Sequence, residues 1–177
     1  MKIIGDIGNT EVKICLIDQN FKIKKKISIK TIEINKSKIK ENLNFFLNNK
    51  KKIESIIFSS VVPKIYRQFS TFFKKNLNKK VIEIKELKLN KLIDIKVNKK
   101  QVGSDRLANS IATIDSKNNY IIIDFGTATT FDIIKKNNVY DGGIIAPGIK
   151  SSIENLSSST ALLPMFELDI YPSNYGK

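Results

Sequence analysis

The sequence predicts an α/β fold built from a duplicated unit, with mixed sheets ordered βββαβαβα and flanked by helices, the second copy incomplete. Short apolar runs of period two alternate with longer stretches of helical spacing, the order expected when helices make the crossovers of a mixed sheet. An aspartate ending a buried strand, with a glycine two residues later, occurs in both Asp6-Ile7-Gly8-Asn9-Thr10 and Asp124-Phe125-Gly126-Thr127-Ala128. The hydrophobic share of 41% over 177 residues is ample for a packed core.

The elements follow in order. Ile3 to Ile7 and Val12 to Ile17 read as strands joined by Gly8-Asn9-Thr10, residues that tolerate the backbone angles of a tight reversal. Alternation at Phe21, Ile23, Ile27 and Ile29 predicts a third strand, one face buried and lysines on the other. Ser37 to Asn49 carries Ile39, Leu43, Phe46 and Leu47 at helical spacing behind a serine cap. Ile53 to Ser59 is a further strand, ended by Pro63, and Ile65, Phe69, Phe72, Phe73 and Leu77 mark a second amphipathic helix. Val81 to Ile84 predicts another strand.

After a polar connection, Gly103-Ser104 opens a third helical pattern through Leu107, Ile111 and Ile114. The hairpin then repeats as Tyr120 to Phe125 and Thr129 to Ile134 around Gly126-Thr127-Ala128. Val139 to Ala146 is a third strand, Pro147-Gly148 turns the chain, and Ile149 to Leu156 starts a helix. Leu162, Leu163, Met165, Phe166 and Leu168 suggest one more strand and Pro172 to Lys177 its loop. The expected division is a first domain over 1–117, with the first hairpin and the helix start, and the beginning of a second over 118–177.

Composition narrows the chemistry. Lys and Arg outnumber Asp and Glu by 31 to 17, giving a net charge of +14. The lysines are scattered among Ile and Asn without interleaved aromatics, so solvated lysine faces are favoured over a nucleic-acid surface. The single cysteine, Cys15, permits no intramolecular disulfide and fits a reducing compartment. The absence of histidine excludes Ser-His-Asp, Cys-His and His-ligated zinc chemistry, leaving proton transfer to carboxylate, Lys or Tyr. Neither a signal peptide nor an apolar run approaching about 20 residues is present, so no membrane partner and a cytoplasmic location are expected.

Two strand-turn-strand hairpins facing each other can hold a nucleoside triphosphate, since glycine lets backbone N–H groups approach phosphate oxygens. An aspartate at each first strand's end can hold hydrated Mg²⁺ or another cation. Either hairpin alone is more often simply a turn; the pair is the signal. Gly103-Ser104-Asp105-Arg106 puts a carboxylate and a guanidinium at a helix start where an anion could dock. The residues alone leave equally open that Asp105 is a first-turn acid and Arg106 a surface charge.

In order along the chain, these motifs resemble those of the type III pantothenate kinases. Asp6-Ile7-Gly8-Asn9-Thr10 resembles their first phosphate motif, Gly103-Ser104-Asp105-Arg106 their substrate motif, and Asp124-Phe125-Gly126-Thr127-Ala128-Thr129-Thr130 their second phosphate motif. Asp141-Gly142-Gly143-Ile144-Ile145-Ala146-Pro147-Gly148 is similar to the glycine-rich strand and turn that follows. The resemblance implies two actin-like (ribonuclease H-like) domains around a cleft, and phosphorylation of pantothenate by ATP as the first step of coenzyme A synthesis. It implies that ATP lies against Asp6, Ile7, Gly8, Asn9, Thr10, Glu11, Val12 and Lys13, and against Gly126 and Thr127 opposite. It further implies that Asp6 supports Mg²⁺ through water and Asp124 binds a monovalent cation, K⁺ or NH₄⁺. Pantothenate would be held by Gly103, Ser104, Asp105 and Arg106, with Asp105 as general base and Arg106 on the carboxylate. Family members are homodimers.

Two departures are visible. Where the family usually shows a tyrosine and a proline, this chain has Lys96, Val97 and Lys99, and family members continue past Gly176-Lys177 with a threonine that contacts substrate. The alternative is a non-catalytic nucleotide-binding member that assists transcription. A sugar or acetate kinase of the same superfamily would leave Gly103-Ser104-Asp105-Arg106 unexplained.

Overall fold

The structure, a computed structural model, describes residues 1–160; the strand expected around Leu162 to Leu168 and the loop from Pro172 to Lys177 lie outside the described residues. The first sheet has the order β3-β2-β1-β4-β5, from β1 (Lys2–Ile7), β2 (Glu11–Ile17), β3 (Ile23–Lys30), β4 (Ser55–Ser60) and β5 (Val81–Glu83). β1, β2 and β3 pair antiparallel, whereas β4 runs parallel to both β1 and β5. The parallel steps need long crossovers, which α1 (Lys36–Asn48) and α2 (Pro63–Leu77) supply.

Both helices follow their apolar spacing. In α1, Ile39, Leu43 and Phe46 are buried. Its cap is Asn35 rather than a serine: the Asn35 side chain accepts from the Lys38 N–H at 2.9 Å, and Ser37 lies within the first turn. In α2, Pro63 occupies the first turn, Ile65, Phe69, Phe73 and Leu77 form the buried stripe, and Asn78 ends the helix in a left-handed conformation. Phe58 of β4 packs between Phe69 and Phe73, with both centroid separations 5.9 Å. Each such ring contributes roughly 1.5–3 kcal/mol by burial, so this face of the sheet is the main apolar core.

The second sheet has the order β6-β9-β8-β7. An antiparallel meander of β7 (Tyr120–Phe125), β8 (Ala128–Lys135) and β9 (Val139–Pro147) receives β6 (Asp94–Ile95), which runs parallel to β9. The polar connection expected before the third helix therefore contains a strand, too short to leave a periodic signal. Its surroundings, Leu89, Ile93, Val102 and Leu107, share a second apolar cluster with Ile134 and Tyr140, so this cluster draws on residues from both sides of the division expected at 117 and 118. The third helix, α3 (Ser104–Ala112), stops short of Ile114, its last turn closed by the Thr113 hydroxyl donating to the Asn109 and Ser110 carbonyls. α4 (Ile149–Ser159) follows the meander.

One face of the second sheet is apolar and open. Ile121, Ile123, Phe125 and Ile144 are 68%, 48%, 65% and 67% exposed. Their strand registers with Phe131, Ile133 and Thr129 place them side by side. No helix among the described residues is long and apolar enough to cross a membrane.

Candidate active site

The duplicated hairpins are built alike. Asp6 is the penultimate residue of β1 and pairs with Lys13 of β2, while Asp124 is the penultimate residue of β7 and pairs with Thr130 of β8. Each glycine that follows closes its turn through its own N–H: Gly8 donates to the Glu11 carbonyl and Gly126 to the Ala128 carbonyl, both at 3.0 Å. The two turns meet. The hydroxyls of Thr10 and Thr127, at their tips, are 2.6 Å apart and hydrogen-bonded.

Below this contact lies a cavity of about 350 Å³ whose polar lining comes from Asp6, Lys13, Ser59, Asp105, Asn109 and Asp124. α3 makes it possible by packing against β4, β8 and the turn after β5, so its first residues stand between the sheets. The anchor is Ser104, almost fully buried, whose hydroxyl donates to the Glu83 carboxylate at the end of β5. Asp105 then faces the cavity, with its Oδ1 accepting from the Arg106 N–H at 2.8 Å. Asn109, one turn later on the same helix face, donates to Asp124 at 2.9 Å and ties the helix to the second hairpin.

The cavity is electrostatically frustrated. Although Asp6 opens onto solvent in the cleft, partial desolvation by the walls pushes its carboxyl up from the ordinary value; the Ser59 hydroxyl and Lys13 oppose this, and the charges of Asp105 and Asp124 reinforce it. A raised carboxyl means that ionising Asp6 costs folded stability, a cost absent in acid and present once pH rises through its folded value. A cation among these carboxylates would relieve it.

Not every expected residue turns its side chain to the cleft. Ile7 and Val12 are fully buried core residues, so any phosphate contact there belongs to backbone. Glu11 is engaged by the Ser28 hydroxyl, the main cause holding its carboxyl below the usual range, and pairs with Lys13 at 3.4 Å. Ser104 is committed to Glu83. Asn9 is exposed on the first turn. Gly103 contributes space: a Cβ there would collide with Asp105 Oδ1.

Arg106, which the residues alone allowed as a surface charge, is 8% exposed. Its Nε donates to Asp132 Oδ1 at 2.9 Å, and its Nη2 lies 2.7 Å from the same oxygen. Burial opposes the guanidinium charge, but the Asp132 carboxylate more than offsets this.

The glycine-rich segment is explained by close approaches. Gly142 adopts φ +107° at a bulge, a conformation side chains disfavour. Gly143 makes room for Arg106, and a Cβ on Gly148 would come 2.5 Å from the carbonyl oxygens of Gly126 and Thr127, so Gly148 lets α4 begin directly beneath the second turn. The lysines of the departing segment stand apart from the cavity lining. Lys96 pairs with Asp94 at 2.5 Å, and Lys99 donates to the Lys85 and Leu87 carbonyls.

Sequence reasoning missed Ser59, Asn109, Asp132 and Tyr140. Asn109 was detectable, since it lies at i+4 from Asp105 on the helix that carries the motif. The others depend on contacts between segments distant in sequence.

Comparison with known proteins identifies the family. The family described as type III pantothenate kinase matches residues 2–177. A type III pantothenate kinase of Pelagibacter ubique (strain HTCC1062) is 49% identical over 168 residues, covering 95% of this chain and 67% of that protein. One from Sulfurihydrogenibium sp. (strain YO3AOP1) is 39% identical over 175 residues, covering 96% and 69%. Among solved structures, a conserved putative Baf family transcriptional activator from Campylobacter jejuni aligns with TM-score 0.51 at 20% identity, covering 97% of this chain and 68% of that one. A putative 2-dehydro-3-deoxygalactonokinase from Sinorhizobium meliloti aligns with TM-score 0.52 at 9% identity, covering 92% and 58%. These two likenesses concern the fold, which is actin-like. Because the sequence match runs from Lys2 to Lys177 and takes in every residue around the cleft, the chain belongs to the type III pantothenate kinase family.

Proposed function

We propose that this chain carries out its family's reaction with the residues around the cleft in defined roles: transfer of the γ-phosphoryl group of ATP to the hydroxyl of pantothenate, giving 4'-phosphopantothenate and ADP for coenzyme A synthesis. The observation that carries the reading is the meeting of the two acid-tipped turns, joined through Thr10 and Thr127 above one cavity that Asp105 also lines.

In this reading the backbone of residues 6–13 and the turn at Gly126 and Thr127 cradle the triphosphate, with Lys13 offsetting its charge. Asp105 accepts the proton of the pantothenate hydroxyl as that oxygen bonds to the γ-phosphorus and the bond to the β–γ bridging oxygen breaks, the electron pair leaving with ADP. The segment Gly103 to Arg106 holds pantothenate, Gly103 and Ser104 through backbone, and the Arg106 guanidinium meets its carboxylate.

The donors fit hard cations. Asp6, Asp105 and Asp124 offer oxygen ligands to one cavity, which suits Mg²⁺ and K⁺ or NH₄⁺. Among the described residues no group of three or more His, Cys, Asp or Glu stands close enough to hold a metal by itself; in this reading Asp6 supports Mg²⁺ through water and Asp124 a monovalent cation. When bound, these ions would neutralise charge on the transferring phosphoryl oxygens. We further infer a homodimer, from the resemblance to the family; no nucleic-acid partner, supported by the scattered lysines; and a cytoplasmic location with no membrane partner, supported by the single cysteine.

Protein supplied with Mg²⁺, K⁺, ATP and pantothenate should form 4'-phosphopantothenate and ADP in equal amounts, detected by mass spectrometry. Chelating the Mg²⁺ should stop the reaction, and replacing K⁺ by a large organic cation should slow it. ATP consumption without phosphopantothenate would sink the reading. Gly103→Ala offers a sharper test, because its methyl group would displace the Asp105 carboxylate, a flexible end that can swing away. A displacement of this kind costs about 10²-fold in kcat, whereas the melting temperature should move by no more than about 2 °C.

A further inference from the structure

Arg106 leaves the first turn of α3 towards the second sheet, and what receives it there has no part in the motifs. Asp132 is fully buried on β8 and gathers its donors on a single oxygen. Oδ1 accepts from Arg106 Nε at 2.9 Å and from the Tyr140 hydroxyl at 2.6 Å, while Arg106 Nη2 stands 2.7 Å away. Tyr140 is itself fully buried on β9, where desolvation first and the Asp132 contact second push its hydroxyl up, so it remains a donor throughout the physiological range. Directly across the ladder from Asp132 is Gly143, and a Cβ there would come 2.5 Å from Arg106 Nη2. The guanidinium is thus held on one side over Gly143, by a hydrogen bond from Nε and an ion pair at Nη2, which is buried and makes no hydrogen bond, while Nη1 makes no hydrogen bond among the described residues either.

A buried ion pair is weak evidence for stability, because desolvation offsets most of its Coulombic gain. A one-edged grip on a guanidinium, with a tyrosine fixing the gripping oxygen, has a clearer use in orientation: a carboxylate arriving at the free edge meets donors already aimed. We propose that Asp132 and Tyr140 are positioning residues that hold Arg106 in the orientation that recognises the substrate carboxylate. This rests on the assignment of Arg106 to the pantothenate carboxylate and extends it to two residues outside the motifs.

The test uses the full chain at saturating ATP, comparing pantothenate with pantothenol, in which the carboxylate is replaced by an alcohol. Asp132→Asn should raise KM for pantothenate by about 10- to 100-fold, leave kcat within about 3-fold, and bring the preference for pantothenate over pantothenol towards unity. Tyr140→Phe, which keeps the ring in the core, should move KM and the preference the same way by a few-fold. A merely structural role would lower the melting temperature and leave both KM and the preference untouched, and that result in either folded variant would overturn the proposal. If Asp132→Asn fails to fold, Tyr140→Phe decides by the same two readouts. Failure of the wild-type chain to prefer pantothenate over pantothenol would instead remove the assignment of Arg106, and the proposal with it.

Discussion

Asp105→Asn should lower kcat for pantothenate phosphorylation by about 10²–10⁴-fold, the range expected when a general base is removed. The substitution keeps shape and keeps an oxygen able to accept from the Arg106 N–H, so the 2.8 Å hydrogen bond that orients the side chain has a counterpart in the variant. What disappears is the ability to take a proton from the attacking hydroxyl at neutral pH. Nucleotide affinity, measured by calorimetry with a non-hydrolysable ATP analogue, should change by less than about 3-fold, because the proposed function places the triphosphate against the two turns rather than against α3. Equal turnover by the variant would take the base role away from Asp105. Loss of nucleotide binding alongside turnover would show that Asp105 acts through the cation and phosphate side of the cleft.

Arg106→Ala should cause the largest loss of stability, roughly 3–5 kcal/mol, because it leaves the fully buried Asp132 carboxylate without its cation. For a chain of this size that corresponds to a fall in melting temperature on the order of 10 °C, measurable by calorimetry. The double variant Arg106→Met with Asp132→Leu discriminates between causes. Removing both charges together replaces an ion pair by apolar contacts and should recover part of the lost stability, less the cost of leaving the buried Tyr140 hydroxyl without its acceptor. It should not recover pantothenate turnover, since the guanidinium is gone. Full stability in Arg106→Ala alone would mean that Asp132 finds water or another donor, and would contradict the burial described above.

The local patterns were legible because they are local. Period-two alternation gave β1, β2 and the meander, and i, i+4 spacing gave the buried stripe of α2 from Ile65 to Leu77. The repeated aspartate and glycine marked the two turns that meet at Thr10 and Thr127, although nothing in either segment states that the two would touch. Asn35 rather than a serine capped α1, a difference of one turn-forming residue among several able to do the task. β6 was invisible because two residues carry no period and its partner is β9, over forty residues downstream. The hidden part of the site has the same character. The resemblance implied a recognition role for Arg106, but the residues alone did not, and its partners Asp132 and Tyr140 occupy strand positions that look like any polar or aromatic residue until the sheet brings them under α3.

The open apolar face of the second sheet, set on a molecule of net charge +14, gives copies of this chain two opposed rules for meeting one another. In dilute salt, repulsion reaching about 30 Å at 10 mM opposes their association; near 1 M that reach shrinks to about 3 Å and the greasy surface governs. Colloidal behaviour should therefore turn on ionic strength, with sulfate, which strengthens apolar association, the harshest salt and chaotropic anions the mildest.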